Sequence, residues 1–205
     1  MVARYALVSS PAAVRDYFGL GPFEPFPPRP AIAPTEPVAI VREGRHGTPE
    51  LGLVRWGLIP SWSKDPRRHA TLFNARLETA TEKPAFRGAM RHRRCLVPAD
   101  GWTQWSGLPG ARTQWLIRRR NRGPMAFAGL WEHWLGADGS EIETMAILTT
   151  AANADVLPLN DRMPAILAPD GFQTWLDCRS GSALGIERLI QPVADDTLEA
   201  VPETG

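Results

Sequence analysis

Arginine and tryptophan are the residue types of this sequence whose number and placement could carry chemistry. Of the 23 basic residues only Lys64 and Lys83 are lysine, and the chain holds eight tryptophans. A guanidinium binds phosphate through two parallel hydrogen bonds, and an exposed indole stacks on a nucleic-acid base with about 1–3 kcal/mol per base. Trp62 stands in a predicted loop just before Lys64, Arg67 and Arg68. This cluster is typical of a polyanion contact, although a GC-rich genome produces the same arginine preference.

Other reaction chemistries lack their motifs. The four histidines, at 46, 69, 92 and 133, are scattered, and no H-E-x-x-H is present. The chain also has no G-x-x-x-x-G-K-[ST], G-x-G-x-x-G or G-x-S-x-G motif. Two cysteines, Cys95 and Cys178, are too few for a disulfide scaffold or a cysteine-rich metal site. We therefore expect neither a metal nor a cofactor.

The near-neutral net charge of +1 conceals a polarised chain. Residues 1–140 hold 20 Lys+Arg and 11 Asp+Glu, a balance of +9, whereas residues 141–205 hold 3 and 11, a balance of −8. The first part could therefore meet a polyanion. A hydrophobic fraction of 43% argues against disorder. No apolar run approaches the roughly 20 residues of a membrane helix, and no secretory signal is evident, so we expect a cytoplasmic protein without a membrane partner.

The elements that must position these residues are mostly short strands. VAIVRE and LGLVRWGLI flank GRHGTP and predict a hairpin, and strand-like runs follow at RCLVPA, TQWLIRR, MAFAGLW and ETMAILTT. Ser10 and Pro11 predict the start of a short helix, and residues 79–90 predict another. With no βαβ alternation, we expect an α+β fold: a single domain over 1–205 with a curved antiparallel, barrel-like β core. The acidic tail from about residue 191 is expected to be loose or only partly docked.

A series of short sequence motifs (words) then follows along the chain. They read WGLIPSW at 56–62, NARLET at 74–79, KPAFR at 83–87, RCLVPADGW at 94–102, FAGLWE at 127–132, LTTAAN at 148–153 and DRMP at 161–164. In this order and spacing they resemble the SRAP family, the SOS response-associated peptidase-like proteins. The resemblance extends over nearly residues 1–200.

The resemblance implies both a fold and a reaction. It implies a β-rich single domain with a positively charged groove that recognises abasic sites in single-stranded DNA. The family's chemistry uses an N-terminal Cys exposed by removal of the initiator Met, whose amine and thiol capture the ring-opened sugar as a stable thiazolidine. A Glu in the D-G-[FW]-x-E-W word and a His before the D-R-[RM]-P word assist proton transfers. The Asn of N-A-R, which is Asn74 here, helps to hold the site.

The sequence departs from this pattern at three of the four positions. Val2 stands in place of Cys, Gln104 in place of Glu and Asn160 in place of His. Without a thiol an imine cannot close to a thiazolidine, and neither amide titrates near neutral pH. Loss of a general acid or base commonly costs about 10²–10⁴-fold in rate. We therefore interpret the chain as a catalytically degenerate member of the family.

The resulting hypothesis is a protein of the DNA damage (SOS) response that binds single-stranded or abasic DNA near the nucleoid without forming the stable crosslink. Arg4, Arg76 and Arg162 are expected to contact phosphates, and three tryptophans, Trp62, Trp102 and Trp105, to stack on bases. Two alternatives stay open. The amine of residue 2 could form a Schiff base and process abasic sites, or the fold could serve as a non-catalytic, phage-type accessory or protein-interaction module.

Overall fold

A computed structural model of the chain describes residues 2–44, 47–65, 72–108, 111–179, 185–191 and 193–203. Its strands are β1 (Tyr5–Leu7), β2 (Arg29–Ile32), β3 (Pro37–Glu43), β4 (Pro49–Trp56), β5 (Asn74–Arg76), β6 (Arg94–Ala99), β7 (Gly101–Ser106), β8 (Thr113–Arg119), β9 (Met125–Leu135), β10 (Glu141–Ala151), β11 (Arg162–Pro164), β12 (Ile166–Leu167) and β13 (Leu198–Pro202). Its α-helices are α1 (Pro11–Phe18), α2 (Leu77–Ala80), α3 (Arg87–His92) and α4 (Phe172–Leu176), and 3₁₀ turns span Pro169–Gly171 and Ile186–Leu189.

Five strands close into a barrel. The sheet runs β10-β4-β3-β6-β9, and β9 pairs again with β10 over seven residue pairs, which joins the two ends. All of these contacts are antiparallel except β10 with β4. The predicted hairpin is present, with Val38 opposite Val54. The expected α+β class with a barrel-like β core is confirmed, and closure leaves the barrel strands without a free edge on that ring.

A second sheet packs against the barrel in the order β13-β8-β7-β1-β2. Aromatic rings fill the space between the two: Tyr5 meets Trp56 and Phe127 edge-on at centroid distances of 5.3 and 6.2 Å, and Trp102 meets Phe127 at 5.9 Å. These rings belong to one hydrophobic core that includes both sheets. Edge-to-face pairs of this kind stabilise a core beyond the area they bury.

The helices follow local signals, with one difference from the prediction. Ser10 accepts a hydrogen bond from the Ala13 backbone at the start of α1, and Gly19 ends it with a φ of 64°. The single helix predicted over 79–90 is wrong, because two short helices, α2 and α3, replace it. Pro84 lies in the turn between them, where its ring disfavours helical backbone at the preceding residue. No helix in the described ranges is long and apolar enough to cross a membrane.

The acidic tail is docked over β13, which agrees with the alternative of a partly docked tail and not with a tail that is loose throughout. Leu198 is fully buried, and β13 pairs with β8 over five residue pairs. Glu199 Oε1 accepts a hydrogen bond from Arg118 Nε at 2.8 Å and lies 3.4 Å from Arg122 Nε. The two oppositely charged segments of the chain therefore meet in adjacent strands, and the tail neutralises part of the basic run 118–122.

Candidate functional site

Residue 2 and Asn74 are in direct contact although 72 positions separate them. Asn74, the first residue of β5, donates a hydrogen bond from Nδ2 to the Val2 carbonyl at 2.7 Å. A carbonyl only accepts, so the amide nitrogen must face it and Oδ1 must point away. Asn74 Oδ1 is buried and finds no partner among the described residues. An unpartnered buried acceptor is uncommon and marks a place where a ligand donor would be favourable.

Gln104 reaches the same region through the ladder between β1 and β7. Tyr5 lies opposite Trp102, and the Thr103 backbone donates to the Arg4 carbonyl at 2.9 Å. Continuing this antiparallel register places Gln104 level with Ala3, one residue from Val2. The Val2 side chain is 1% exposed and Gln104 is 8% exposed. Val2 and Gln104 are thus a buried aliphatic side chain and a buried amide, and neither side chain is titratable.

Asn160 has a backbone role in the structure. Its Oδ1 accepts a hydrogen bond from the Arg162 backbone at 2.8 Å, and its own N–H donates to the Val156 carbonyl at 3.0 Å. This local bonding is typical of an Asx turn and fixes the start of β11. β11 in turn pairs with the end of β10, where Ala151 lies opposite Arg162.

Arg162 forms a clamp between β10, β11 and α2. Its two Nη atoms donate to Glu78 Oε1 at 2.6 Å and Oε2 at 2.9 Å, and Nη2 also donates to the Thr149 carbonyl at 2.6 Å. These bonds hold the pKa of Glu78 below its usual value. The Arg162 guanidinium therefore binds protein acceptors rather than facing a phosphate, so the prediction that it contacts DNA does not agree with the structure.

Arg4 and Arg76 differ from Arg162 in being exposed. Arg76 ends β5 directly opposite Thr149, so it lies on the same edge of the site as Asn74. Arg4 lies two residues from Val2, between that residue and Tyr5. Neither guanidinium forms a salt bridge with any residue that the structure describes. Both cations are thus exposed, and each lies two residues along the chain from Val2 or Asn74.

The three candidate tryptophans have different environments. Trp62 is 56% exposed and Trp105 is 48% exposed, whereas Trp102 is fully buried. The prediction that Trp102 stacks on a base is wrong, because its indole packs edge-on against Phe127 in the core. Trp105 lies next to Gln104 on the opposite face of β7. Arg67 and Arg68, which follow Trp62 in the sequence, lie outside the described residues.

One buried charged side chain was not anticipated from the sequence. Arg94 is 2% exposed and donates to the carbonyls of Trp175 at 2.6 Å, Asp177 at 2.6 Å and Met90 at 2.8 Å.

Burial raises the pKa of the Cys95 thiol, which makes it a structural rather than a reactive cysteine. Among the residues described, no cluster of His, Cys, Asp or Glu has the arrangement of a metal site.

The three amide positions offer hydrogen-bonding groups but no group for proton transfer. Asn74, Gln104 and Asn160 supply amides, which donate and accept hydrogen bonds without ionising near neutral pH. The backbone of residue 2 is fixed against Asn74, and the two exposed arginines stand at the edge. The arrangement can hold a polar, anionic ligand, and general acid–base catalysis has no side chain among these three positions to perform it.

Comparison with known proteins gives a consistent result. Residues 1–204 match the family described as SOS response associated peptidase (SRAP). The abasic site processing protein YoaM of Bacillus subtilis (strain 168) is 36% identical over 205 residues, covering 98% of this chain and 89% of that protein. The abasic site processing protein YedK of Escherichia coli (strain K12) is 31% identical over 156 residues, covering 76% and 68%. A crystal structure of a Bacteroides thetaiotaomicron protein has the same fold, with a TM-score of 0.85, 23% identity, and 97% and 90% coverage.

Proposed function

The chain belongs to the SRAP family, and we propose that it binds single-stranded and abasic DNA in the DNA damage response without forming a stable thiazolidine crosslink. The observation that carries this proposal is the buried Val2, held through its carbonyl by Asn74 where the family resemblance requires Cys. The names of the relatives supply the abasic site as the substrate. We place this activity in the cytoplasm, next to the nucleoid.

Binding would use the groups that the structure leaves accessible. Arg4 and Arg76 would contact phosphates beside the site, and Trp62 and Trp105 would stack on bases. Beyond these accessible groups, the buried and unpartnered Oδ1 of Asn74 would accept a hydrogen bond from the ring-opened sugar once the sugar enters the site. None of these contacts requires a titratable group, so the affinity would depend on salt concentration and only weakly on pH near neutrality.

The missing chemistry follows from three side chains. A thiazolidine forms when a thiol adds to an imine carbon, and the isopropyl group of Val2 has no nucleophile. Gln104 and Asn160 preserve hydrogen bonding but cannot deliver or remove a proton at neutral pH. Any imine that a free residue-2 amine made with the aldehyde would therefore remain hydrolysable.

The proposal is tested by mixing the protein with abasic single-stranded DNA, in parallel with intact DNA of the same sequence. We expect binding in fluorescence anisotropy that weakens steeply with salt, and no adduct after heating in denaturant. An affinity for single-stranded DNA that does not change with salt concentration, or no measurable affinity, contradicts the proposed DNA binding. A heat-stable adduct contradicts the loss of crosslinking.

Position 2 also favours one enzymatic alternative, because its backbone lies at the site. If the initiator Met is removed, the freed amine could condense with the sugar aldehyde, releasing water, and cleave the strand by β-elimination. Borohydride separates the two cases, since it reduces an imine to a permanent secondary amine and leaves a non-covalent complex unchanged. Covalent trapping that requires borohydride would support the Schiff-base alternative, and its absence would support binding alone.

A further inference from the structure

A groove lies at the opposite end of the barrel from Asn74, between α1, α4 and the turn that joins β3 to β4. Its volume is about 480 Å³. β4 begins beside the groove at Pro49 and ends at Trp56, whose Nε1 donates to the carbonyl of Phe73, next to Asn74, at 2.8 Å. At about 3.3 Å per residue, the ends of this strand are about 23 Å apart. A molecule in the groove would therefore leave the Asn74 site free.

Three aromatic rings line the groove where α1 meets α4. Phe18 and Phe172 stack with their centroids 5.4 Å apart and their planes 11° from parallel, and Tyr17 meets Phe172 edge-on at 5.8 Å. Phe18 and Phe172 also belong to the hydrophobic core, and Tyr17 packs against it. The rings are therefore held rigidly, and they offer apolar surface to an aliphatic group and π faces to a cation.

The charged residues around these rings are mostly acidic. Among the described residues, three carboxylates and one guanidinium line the groove, a net charge of −2: Asp16, Glu43, Asp177 and Arg179. Asp16 pairs with its neighbour Arg15 at 3.2 Å, and both side chains are exposed. Exposed pairs of this kind are weak, so Asp16 can exchange Arg15 for a cation from another molecule. A negative groove repels phosphates and attracts cations, which separates it from the DNA site.

Arg179 shows how these carboxylates bind a guanidinium. Its Nε and Nη2 donate to Asp177 Oδ1 at 2.9 Å and Oδ2 at 2.7 Å, and its Nε lies 3.4 Å from Glu43 Oε1. These bonds lower the pKa of Asp177 to about 2, so this carboxylate is ionised at neutral pH. Glu43 also accepts a hydrogen bond from the Cys178 backbone at 3.3 Å, which ties the end of β3 to the segment after α4. The acidic side of the groove is thus fixed by the fold.

We propose that this groove binds a basic segment of a partner protein, in which an arginine lies next to an aliphatic residue. The arginine pairs with Asp16 beside the aromatic rings, and the aliphatic side chain packs on Phe18 and Phe172. Arginine and aromatic side chains are both enriched in protein–protein interfaces, and complementary charge selects the partner. The inference does not depend on the proposed DNA binding, because no residue of the groove belongs to the Asn74 site.

The first test compares three fluorescent peptides on the DNA-free protein by anisotropy. One peptide repeats the pair Arg-Leu, the second repeats Arg-Ser and the third repeats Glu-Leu, all at the same length. We expect the Arg-Leu peptide to bind at least about fivefold more tightly than the Arg-Ser peptide, because only the first buries apolar surface. The Glu-Leu peptide should not bind, and added salt should weaken the Arg-Leu complex.

A pair of double variants then locates the peptide on the protein. Asp16→Lys with Gln173→Lys makes two exposed positions of the groove basic, and should weaken binding of the Arg-Leu peptide by at least about fivefold. Glu24→Lys with Gln191→Lys is the matched control, since it makes the same charge change at exposed positions outside the groove. Thermal unfolding followed by circular dichroism checks that both variants fold, and the peptide comparison on the wild type does not depend on them.

Three results would overturn the inference. They are no binding of the Arg-Leu peptide, equal binding of the Arg-Leu and Arg-Ser peptides, and equal loss of affinity in the groove variant and its control. Sedimentation tests a second copy of this chain as the occupant. If the wild type self-associates, the groove variant is monomeric and no peptide binds, the groove accepts another copy and the partner inference is wrong. The proposed DNA binding is measured separately with abasic DNA and stands or fails independently of these results.

Discussion

Replacing Glu78 with glutamine tests whether Arg162 is a structural clamp. The wild-type pair has two charge-assisted hydrogen bonds, at 2.6 and 2.9 Å. The Arg162 side chain is 17% exposed and that of Glu78 is 48% exposed, so solvent screens the interaction in part. Exposed pairs contribute about 0.2–1 kcal/mol, and bidentate geometry places this one at the upper end. We expect Glu78→Gln to lower the free energy of unfolding by about 1 kcal/mol.

The assay is urea unfolding of Glu78→Gln, Arg162→Gln and the double variant. Arg162→Gln should cost more, about 2 kcal/mol, because it also removes the bond to the Thr149 carbonyl. The double-mutant cycle formed by these variants should give a coupling energy between Glu78 and Arg162 near 1 kcal/mol. Glu82→Gln is the control, since Glu82 is an exposed carboxylate in the neighbouring turn and makes no salt bridge with a described residue.

The same pair predicts a pH dependence. The pKa of Glu78 is lowered in the folded protein by Arg162, so the folded state binds fewer protons at this group than the unfolded state. Its contribution is present above the unfolded pKa of about 4.3 and is lost as pH falls through the lower folded pKa. The difference in stability between wild type and Glu78→Gln should shrink over that range. A coupling energy near zero, together with a loss of DNA affinity and salt slope in Arg162→Gln, would refute the clamp and restore a phosphate role.

Three further predictions follow from the fold. Arg94→Met should lower the free energy of unfolding by at least about 3 kcal/mol in urea, because it leaves the carbonyls of Met90, Trp175 and Asp177 unpaired; a cost under 1 kcal/mol would contradict this. Leu198→Ala should cost about 2–3 kcal/mol, as expected for a fully buried leucine, whereas a loose tail would give no change. Trp105→Ala should weaken single-stranded DNA binding by at least about fivefold in anisotropy. Trp102→Phe should leave the DNA affinity unaltered and reduce only the stability. A loss of affinity in Trp102→Phe but not in Trp105→Ala would show that the exposed indole is not a contact.

The barrel could be predicted because its strands carry local signals. The runs at 94–99, 113–119, 125–131 and 143–150 all coincide with strands, since each is a short apolar or β-branched segment bounded by turn residues. The closing contact of β9 with β10 and the parallel contact of β10 with β4 could not be derived in this way. Both depend on long-range register, which periodicity does not encode.

The site was only partly predictable for a related reason. The resemblance of the short sequence motifs to the SRAP family groups positions 2, 74 and 104 in one site. The hydrogen bond of Asn74 to Val2 agrees with that grouping. The same words gave no sign that Trp102 is buried or that Arg162 is paired with Glu78. The count of charged residues likewise gave no sign that the acidic tail pairs with the basic segment. Side-chain partners 80 or more positions apart are set by tertiary packing, which a linear count of charges does not contain.

If this site binds abasic DNA but lacks the groups that seal a crosslink, restoring those groups should restore the crosslink. The measurement is the mass of the protein after incubation with abasic single-stranded DNA, heating and denaturation. It compares the wild type with the variant Val2→Cys, Gln104→Glu, Asn160→His, both with the initiator Met removed and verified by mass. We expect the unmodified mass for the wild type and a stable DNA adduct for the triple variant. An adduct of equal yield on the wild-type protein would contradict the account.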